Sequence, residues 1–398
     1  MKVAIIDGIA AHYRLSLFQK LTQQINPEYI LFASKKSING IVIINPELAD
    51  LPVSEGGIRW KFIENIVILN RIIWQKDILN ITSKGNFDIY IFIGESHTLS
   101  TWIGVAICKI RRKKIAFWGH GSYGNEKFLK KVIRRIFNKL PDGYLLYNNR
   151  AKDLLIEENI RPEKLFVLNN SLNFDLHCKI RTSINFEEII SMRKKLFPLN
   201  EELPVVIFIG RLTREKKIDQ LIESIDLLQQ MGKKVNCLII GTGQQENLLK
   251  NLVVTLKLQA YVNFYGPCYN ESENGLLISM AECCVSPGNV GLTAIHSMSF
   301  GTPVITHNDF SNQGPEASAI VENSTGELFE KNNIYSLTDK IAELVFKKGK
   351  KFYTGNCIKI VEDYYNPHYQ INIFNDLIQF LNSPASKKLH YPEKNGES

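Results

Sequence analysis

No two cysteines of this 398-residue sequence stand at C-x-x-C spacing. The seven present (Cys108, Cys178, Cys237, Cys268, Cys283, Cys284 and Cys357) are odd in number and scattered, which argues against a disulfide framework and a zinc cage. D-x-D and H-E-x-x-H are both missing, and no cysteine–histidine cluster replaces them, so neither a metal nor another cofactor is expected. No apolar run is long enough to cross a bilayer, and the opening MKVAIID has the character of a strand rather than of a basic-then-apolar leader. A soluble, cytoplasmic protein with reduced thiols is the expectation. The first strand is not followed by G-x-G-x-x-G, which disfavours an ordinary dehydrogenase. Compositional bias is missing too: 44% hydrophobic and 22% charged residues are near the globular average, which excludes a disordered or fibrous chain.

What the sequence has is length enough for two domains, each able to bury its own core, and an uneven charge. The net charge is +8, yet residues 1–185 carry 27 Lys and Arg against 16 Asp and Glu, and the remainder 21 against 24. The first half therefore suits an anionic partner, whether nucleic acid, an acidic membrane surface or a phosphorylated substrate. No recognised nucleic-acid motif accompanies the charge, which sets nucleic acid aside.

Short β-type runs alternate with helical patterns, the signature of parallel α/β units. Strands are predicted at Lys2–Asp7, Tyr29–Ala33, Asp88–Gly94, Lys114–Trp118, Gly143–Tyr147 and Leu165–Leu168, with helices between them such as Ser100–Arg111 and Arg150–Asn159. The pattern restarts at Pro204–Gly210 and continues through Val235–Ile240, Val262–Tyr265, Glu282–Val285 and Pro303–Thr306. The predicted organisation is a Rossmann-like domain over 1–175, a polar linker over 176–202, a second Rossmann-like domain over 203–363, a closing helix over 364–381 and a disordered tail over 382–398. Two such sheets are expected to face a central cleft, because ligands bind outside the carboxyl ends of the strands.

Two segments carry chemistry. In PVVIFIGRLTREKKIDQLIES (204–224) a strand ends at Gly210, and Arg211, Lys216 and Lys217 follow before a helix. Cations at that edge suit a phosphate or diphosphate, although an isolated R-x4-K is more often a solvated basic loop. In VSPGNVGLTAIHSMSFGTPVIT (285–306) a strand leads through Gly288, Val290 and Gly291 into a helix carrying Leu292, Thr293 and His296. Glycines and a helix N-terminus let backbone amides approach an anion, and Thr293 adds a hydroxyl; an ordinary βα turn is the alternative. His120 in FWGHG (117–121) sits on a tight turn after a strand, well placed for a substrate-facing polar group. His12 and Arg14 follow the first strand as possible acceptor or phosphate contacts, with a solvated pair as the alternative; Glu95 and His97 are outside candidates.

G-R-L-x3-K followed by D-x-L-I, together with Gly291-Leu292 and Gly301-x-Pro303-Val304, resembles glycosyltransferase family 4, a GT-B family. The resemblance implies transfer of a sugar from a nucleotide-diphosphate donor to an acceptor hydroxyl, with retention of configuration. It implies that Arg211 and Lys216 neutralise the leaving diphosphate, and that His120 lies near the reacting sugar. The sequence departs from the family at three points. Lys217 stands where the family has glycine, and Gly288 and His296 replace the two glutamates of its E-x7-E motif. By the same resemblance the VNFYGPC strand (262–268) cradles the nucleobase, IIGTGQQE (239–246) matches a strand–turn–helix, and the loop 308–316 ends in P-E.

Within Glu126–Leu140 (EKFLKKVIRRIFNKL), apolar residues repeat at helical spacing and six cations fill the rest. The pattern predicts an apolar face packed in the core and a basic face free for electrostatic docking; peripheral contact with an anionic inner membrane is the alternative. The function expected is assembly of lipopolysaccharide, capsule or another surface glycan on a glycan or lipid-linked acceptor. A GT-B sugar-nucleotide 2-epimerase and a non-catalytic scaffold derived from a transferase are the rival readings.

Overall fold

The computed structural model describes residues 1–37, 41–68, 72–124 and 126–383. Most of the expected tail (384–398) lies outside them. The chain divides into two compact units, Met1–Asn169 joined by the segment from Pro367 onward, and Asn170–Asn366.

The first unit is built on seven parallel strands: β1 (Lys2–Ile9), β2 (Glu28–Ser34), β3 (Trp60–Phe62), β6 (Ile89–Ile93), β7 (Lys114–Gly119), β8 (Gly143–Leu146) and β9 (Leu165–Val167), in the order β3-β2-β1-β6-β7-β8-β9. An antiparallel hairpin, β4 (Asn65–Ile68) with β5 (Ile72–Gln75), stands apart from the sheet. The second unit has six parallel strands: β10 (Val205–Ile209), β11 (Asn236–Ile240), β12 (Val262–Gly266), β13 (Cys283–Ser286), β14 (Val304–His307) and β15 (Gly326–Phe329). Their order, β12-β11-β10-β13-β14-β15, is the doubly wound Rossmann arrangement. The central strand β10 (VVIFI) is covered on both faces, which is why it appears in the sequence as an unbroken apolar run.

Three expectations need correction. The stretch predicted as a linker over 176–202 holds two helices of the second unit, Phe174–Ser183 and Phe186–Leu196. The second opens with a capping box in which Asn185 and Glu188 satisfy each other's backbone amides, an N-x-x-E signature readable in the sequence. The closing helix, expected over 364–381, spans Pro367–Asn382 and belongs to the first unit. Its apolar face covers the first sheet: Phe374 meets Tyr29 and Trp118 edge-on at 6.0 and 5.5 Å between ring centroids. Gln370 Nε2 also donates to the Asn169 carbonyl.

The third correction concerns the basic helix, Phe128–Asn138. Its apolar stripe is not in the core: Phe128 is 83% exposed, Leu129 70% and Ile136 54%. Only the C-terminal end packs down, where Phe137 stacks on Phe117 and meets Trp102 at a tilt. The rest of the stripe lies open to solvent beside Lys130 and Arg135.

Truncating Phe374 tests the corrected domain assignment. Phe374→Ala should cost about 3–5 kcal/mol of stability, read as a lower urea midpoint of Trp118 fluorescence. An unchanged midpoint would contradict the packing.

Candidate functional site

In a doubly wound sheet the strand order reverses at one point, and the loops beyond that point diverge to leave room for a ligand. In the second unit the reversal falls between β10 and β13. The loop after β10 carries Arg211 and Lys216, and the loop after β13 carries Gly288 to Leu292. The fold therefore brings together the two segments that the sequence singled out.

The two loops are zipped together. Lys216 Nζ donates to the Asn289 carbonyl, and the Gly288 amide donates to the Lys216 carbonyl at 3.1 Å. A Cβ at Gly288 would stand 1.9 Å from the Glu215 carbonyl oxygen, so no side chain fits there. The glutamate that the family resemblance places at 288 is thus excluded by the backbone. Lys217 adopts φ +51, the left-handed conformation that glycine takes most readily, which accounts for the family's glycine at that position. Its ammonium is held by Asn332 Oδ1.

Burial, and next the positive charge of Arg211, push the Lys216 ammonium below its ordinary pKa, while Glu316 pulls the other way. Two cations beside each other at a sheet's carboxyl edge make a site that favours an anion. Arg211 also lines a cavity of about 220 Å3 with Gly210, Gly241, Thr242, Pro267, Cys268 and Tyr269.

The remaining candidates here are placed unequally. The Val290 amide donates to Gln313 Oε1 at 2.9 Å, and Thr293 Oγ1 donates to the Ile209 carbonyl at 3.1 Å. Both groups expected to face an anion are therefore taken internally. Gly291, at φ +56, and Leu292 form the turn into the helix Thr293–Ser299, which begins two residues later than expected. His296 faces Glu271: its Nε2 lies 3.1 Å from Glu271 Oε2, and its ring stacks on His177.

Glu316 closes the P-E loop that the family resemblance picked out. It is buried and accepts a hydrogen bond from Asn170 Nδ2 at 2.7 Å. Burial raises its pKa against the pull of Asn170 and Lys216. A Cβ at Gly314 would stand 2.8 Å from its Oε2 and 3.3 Å from Asn289 Oδ1, so this carboxyl group adjoins the same turn.

In the first unit the reversal lies between β1 and β6. Arg14 follows β1 but is buried: Nη1 donates to Asp7 Oδ2 at 2.6 Å, Nη2 donates to the Tyr147 hydroxyl, and the guanidinium lies over the Trp118 ring. The expectation of an acceptor or phosphate contact at Arg14 is corrected on this ground, because its charge is already paired inside the fold. His12 is exposed. His120 lies at the end of β7 between Tyr123 and Tyr147, at ring-centroid distances of 5.1 and 4.8 Å. Burial, and then Arg14 and Arg134, push its imidazole down to about 4. At neutral pH it is therefore an uncharged hydrogen-bonding group. Glu95 and His97 pair at 3.5 Å beyond β6.

Residues 191–353 match the family described as Glycosyl transferases group 1. Alpha-monoglucosyldiacylglycerol synthase of Acholeplasma laidlawii is 26% identical over 226 residues, which cover 52% of this chain and 56% of that protein. The chain thus spans little more than half the length of this relative. Two solved structures have the same fold along nearly the whole chain. Lipopolysaccharide outer core galactosyltransferase WaaB has a TM-score of 0.69 at 17% identity, covering 95% of this chain and 99% of that one. Anabaena Alr3699/HepE in complex with UDP-glucose has a TM-score of 0.67 at 15% identity, covering 95% and 100%. The fold is that of GT-B glycosyltransferases, with two Rossmann-like units.

Two outcomes follow for the first unit. Arg14→Met leaves Asp7 buried and unpaired and should cost about 3–5 kcal/mol in urea denaturation, whereas a surface arginine would cost almost nothing. For His120, the folded pKa lies below the ordinary 6.5. The unfolded chain then binds a proton that the native one does not, so this group's contribution to stability is lost as pH falls from about 6.5 towards about 4. His120→Asn should flatten that part of the stability–pH curve; an unaltered slope would refute the assignment.

Proposed function

We propose that this chain transfers a sugar from a nucleotide-diphosphate donor to an acceptor hydroxyl, with retention of configuration, in assembly of a surface glycan such as lipopolysaccharide or capsule. The observation that carries the proposal is the Lys216 ammonium, half-buried beside Arg211 at the strand-order reversal of the second unit. Fixed cations in a partly dry site stabilise the charge that develops on a leaving diphosphate, commonly the largest single catalytic contribution. Arg211 and Lys216 take that role here without a metal in the chemistry, and the Gly291–Leu292 turn lets the diphosphate approach the backbone. His120, uncharged, donates or accepts a hydrogen bond at the reacting sugar. The first unit holds the acceptor.

The acceptor proposed is lipid-linked and anionic, met at a membrane surface. The exposed apolar stripe of Phe128–Asn138 supports this, with Lys130, Lys131 and Arg135 set to meet lipid phosphates at about 1 kcal/mol each. Among the described residues no helix is long and apolar enough to cross a membrane. Peripheral contact is the arrangement this helix suits. The name of the Acholeplasma laidlawii relative, a glucosyldiacylglycerol synthase, points to a lipid in the same way.

Calorimetry with UDP and GDP tests the donor site without needing an acceptor. Wild type should bind one of the two, and Lys216→Ala should weaken it at least tenfold, or about 1.4 kcal/mol. No binding of either by folded protein would favour the scaffold reading. Flotation with vesicles tests the surface. Protein should float with phosphatidylglycerol-containing but not purely zwitterionic vesicles, and the triple variant Lys130→Glu, Lys131→Glu, Arg135→Glu should stay behind. Equal flotation of the variant would remove the membrane proposal and leave the donor site standing.

A further inference from the structure

Three helices of the second unit bring together side chains that no sequence spacing connects. His177 comes from Phe174–Ser183, Glu271 opens Glu271–Ser279, and His296 lies on Thr293–Ser299. His177 Nε2 is 3.1 Å from Glu271 Oε2, and His296 Nε2 is 3.1 Å from the same oxygen. One ligand atom from each of the three lies within 4.8 Å of the others.

We infer that His177, Glu271 and His296 form a binding site for one divalent transition-metal ion of the zinc class, a site separate from the transfer chemistry. The donor set is two imidazole nitrogens and one carboxylate oxygen. Around tetrahedral zinc, with bonds of about 2.0–2.2 Å, such atoms stand roughly 3.3–3.5 Å apart. The two nitrogen–oxygen separations are already within a few tenths of an ångström of that. His296 Nε2 is buried and, despite its distance from the carboxylate, is not aligned for a hydrogen bond to it. A buried nitrogen without an aligned partner carries a cost that an ion between it and the carboxylate would remove.

Two borderline-soft nitrogens favour zinc, cobalt(II) or nickel over magnesium and calcium, which prefer shells of oxygen. The Glu271 side chain is 39% exposed while His177 is 3% exposed, so the ion would be gripped from inside and open on one side to a water or ligand. Its effect would be to tie the helix that follows the Gly291 turn to two others, fixing the turn.

The test uses untagged full-length protein stripped with a chelator. Calorimetry should show one equivalent of zinc taken up by wild type, with cobalt(II) giving the visible absorption of a tetrahedral site and millimolar magnesium failing to displace it. Glu271→Gln, at a part-exposed position, and His296→Gln should each weaken zinc uptake at least tenfold, with unchanged melting temperatures in the metal-free state. Zinc should raise the melting temperature of wild type and of neither variant. Absence of saturable uptake, or equal uptake by wild type and both variants, would overturn the site and leave Glu271 as a carboxylate hydrogen-bonded to His177 alone. Neither result depends on nucleotide binding, so the inference and the proposed transfer fail or stand separately.

Discussion

An ammonium group held in a partly dry loop needs compensation, and in the second unit the compensation supplied by the fold is incomplete. Lys216 donates to one carbonyl, has Arg211 near it, and is attracted by Glu316, itself buried and drawn towards its neutral form. Holding the lysine there requires the loops after β10 and β13 to lie backbone to backbone. That approach leaves no room for a side chain at 288 and sets the Gly291 turn beside it. The site is therefore organised around a positive charge whose natural complement is a ligand anion. The glycine at 288 is part of the same geometry.

The first unit handles charge in the opposite way. Arg14 is enclosed by Asp7, Tyr147 and Trp118, so its positive charge is spent within the fold and shapes the surroundings of His120. Its field and that of Arg134 help keep the imidazole uncharged. The surplus charge of this unit instead sits on the surface, most densely along Phe128–Asn138, where it borders an apolar stripe that the sheet does not cover.

Strand positions in both sheets were legible because strands buried on both faces must be apolar throughout, as in IYIFI of β6. Short edge strands such as β3 and β15 gave no such signal, and neither did the hairpin of β4 and β5. The two loops at the strand-order reversal were singled out by their glycines and cations together with the family resemblance, since such residues at a strand's end alone also suit a solvated loop or an ordinary turn. What failed had one physical cause. Periodicity shows that a helix has an apolar face but not what covers it. The stripe of Phe128–Asn138 was therefore expected in the core, and the sheet that the closing helix covers was not legible. Arg14 and the pairing of His296 with Glu271 and His177 depend on contacts across long separations, which a single sequence does not display.

The most direct test of a donor site built on a half-buried lysine and a neighbouring arginine is an affinity ladder: the nucleoside, its monophosphate and its diphosphate, titrated in turn for whichever base the protein prefers. If Arg211 and Lys216 hold the diphosphate, affinity rises with each phosphate and the diphosphate step diminishes as salt is added. Equal affinity for all three would mean that the base alone is recognised, and would contradict the account.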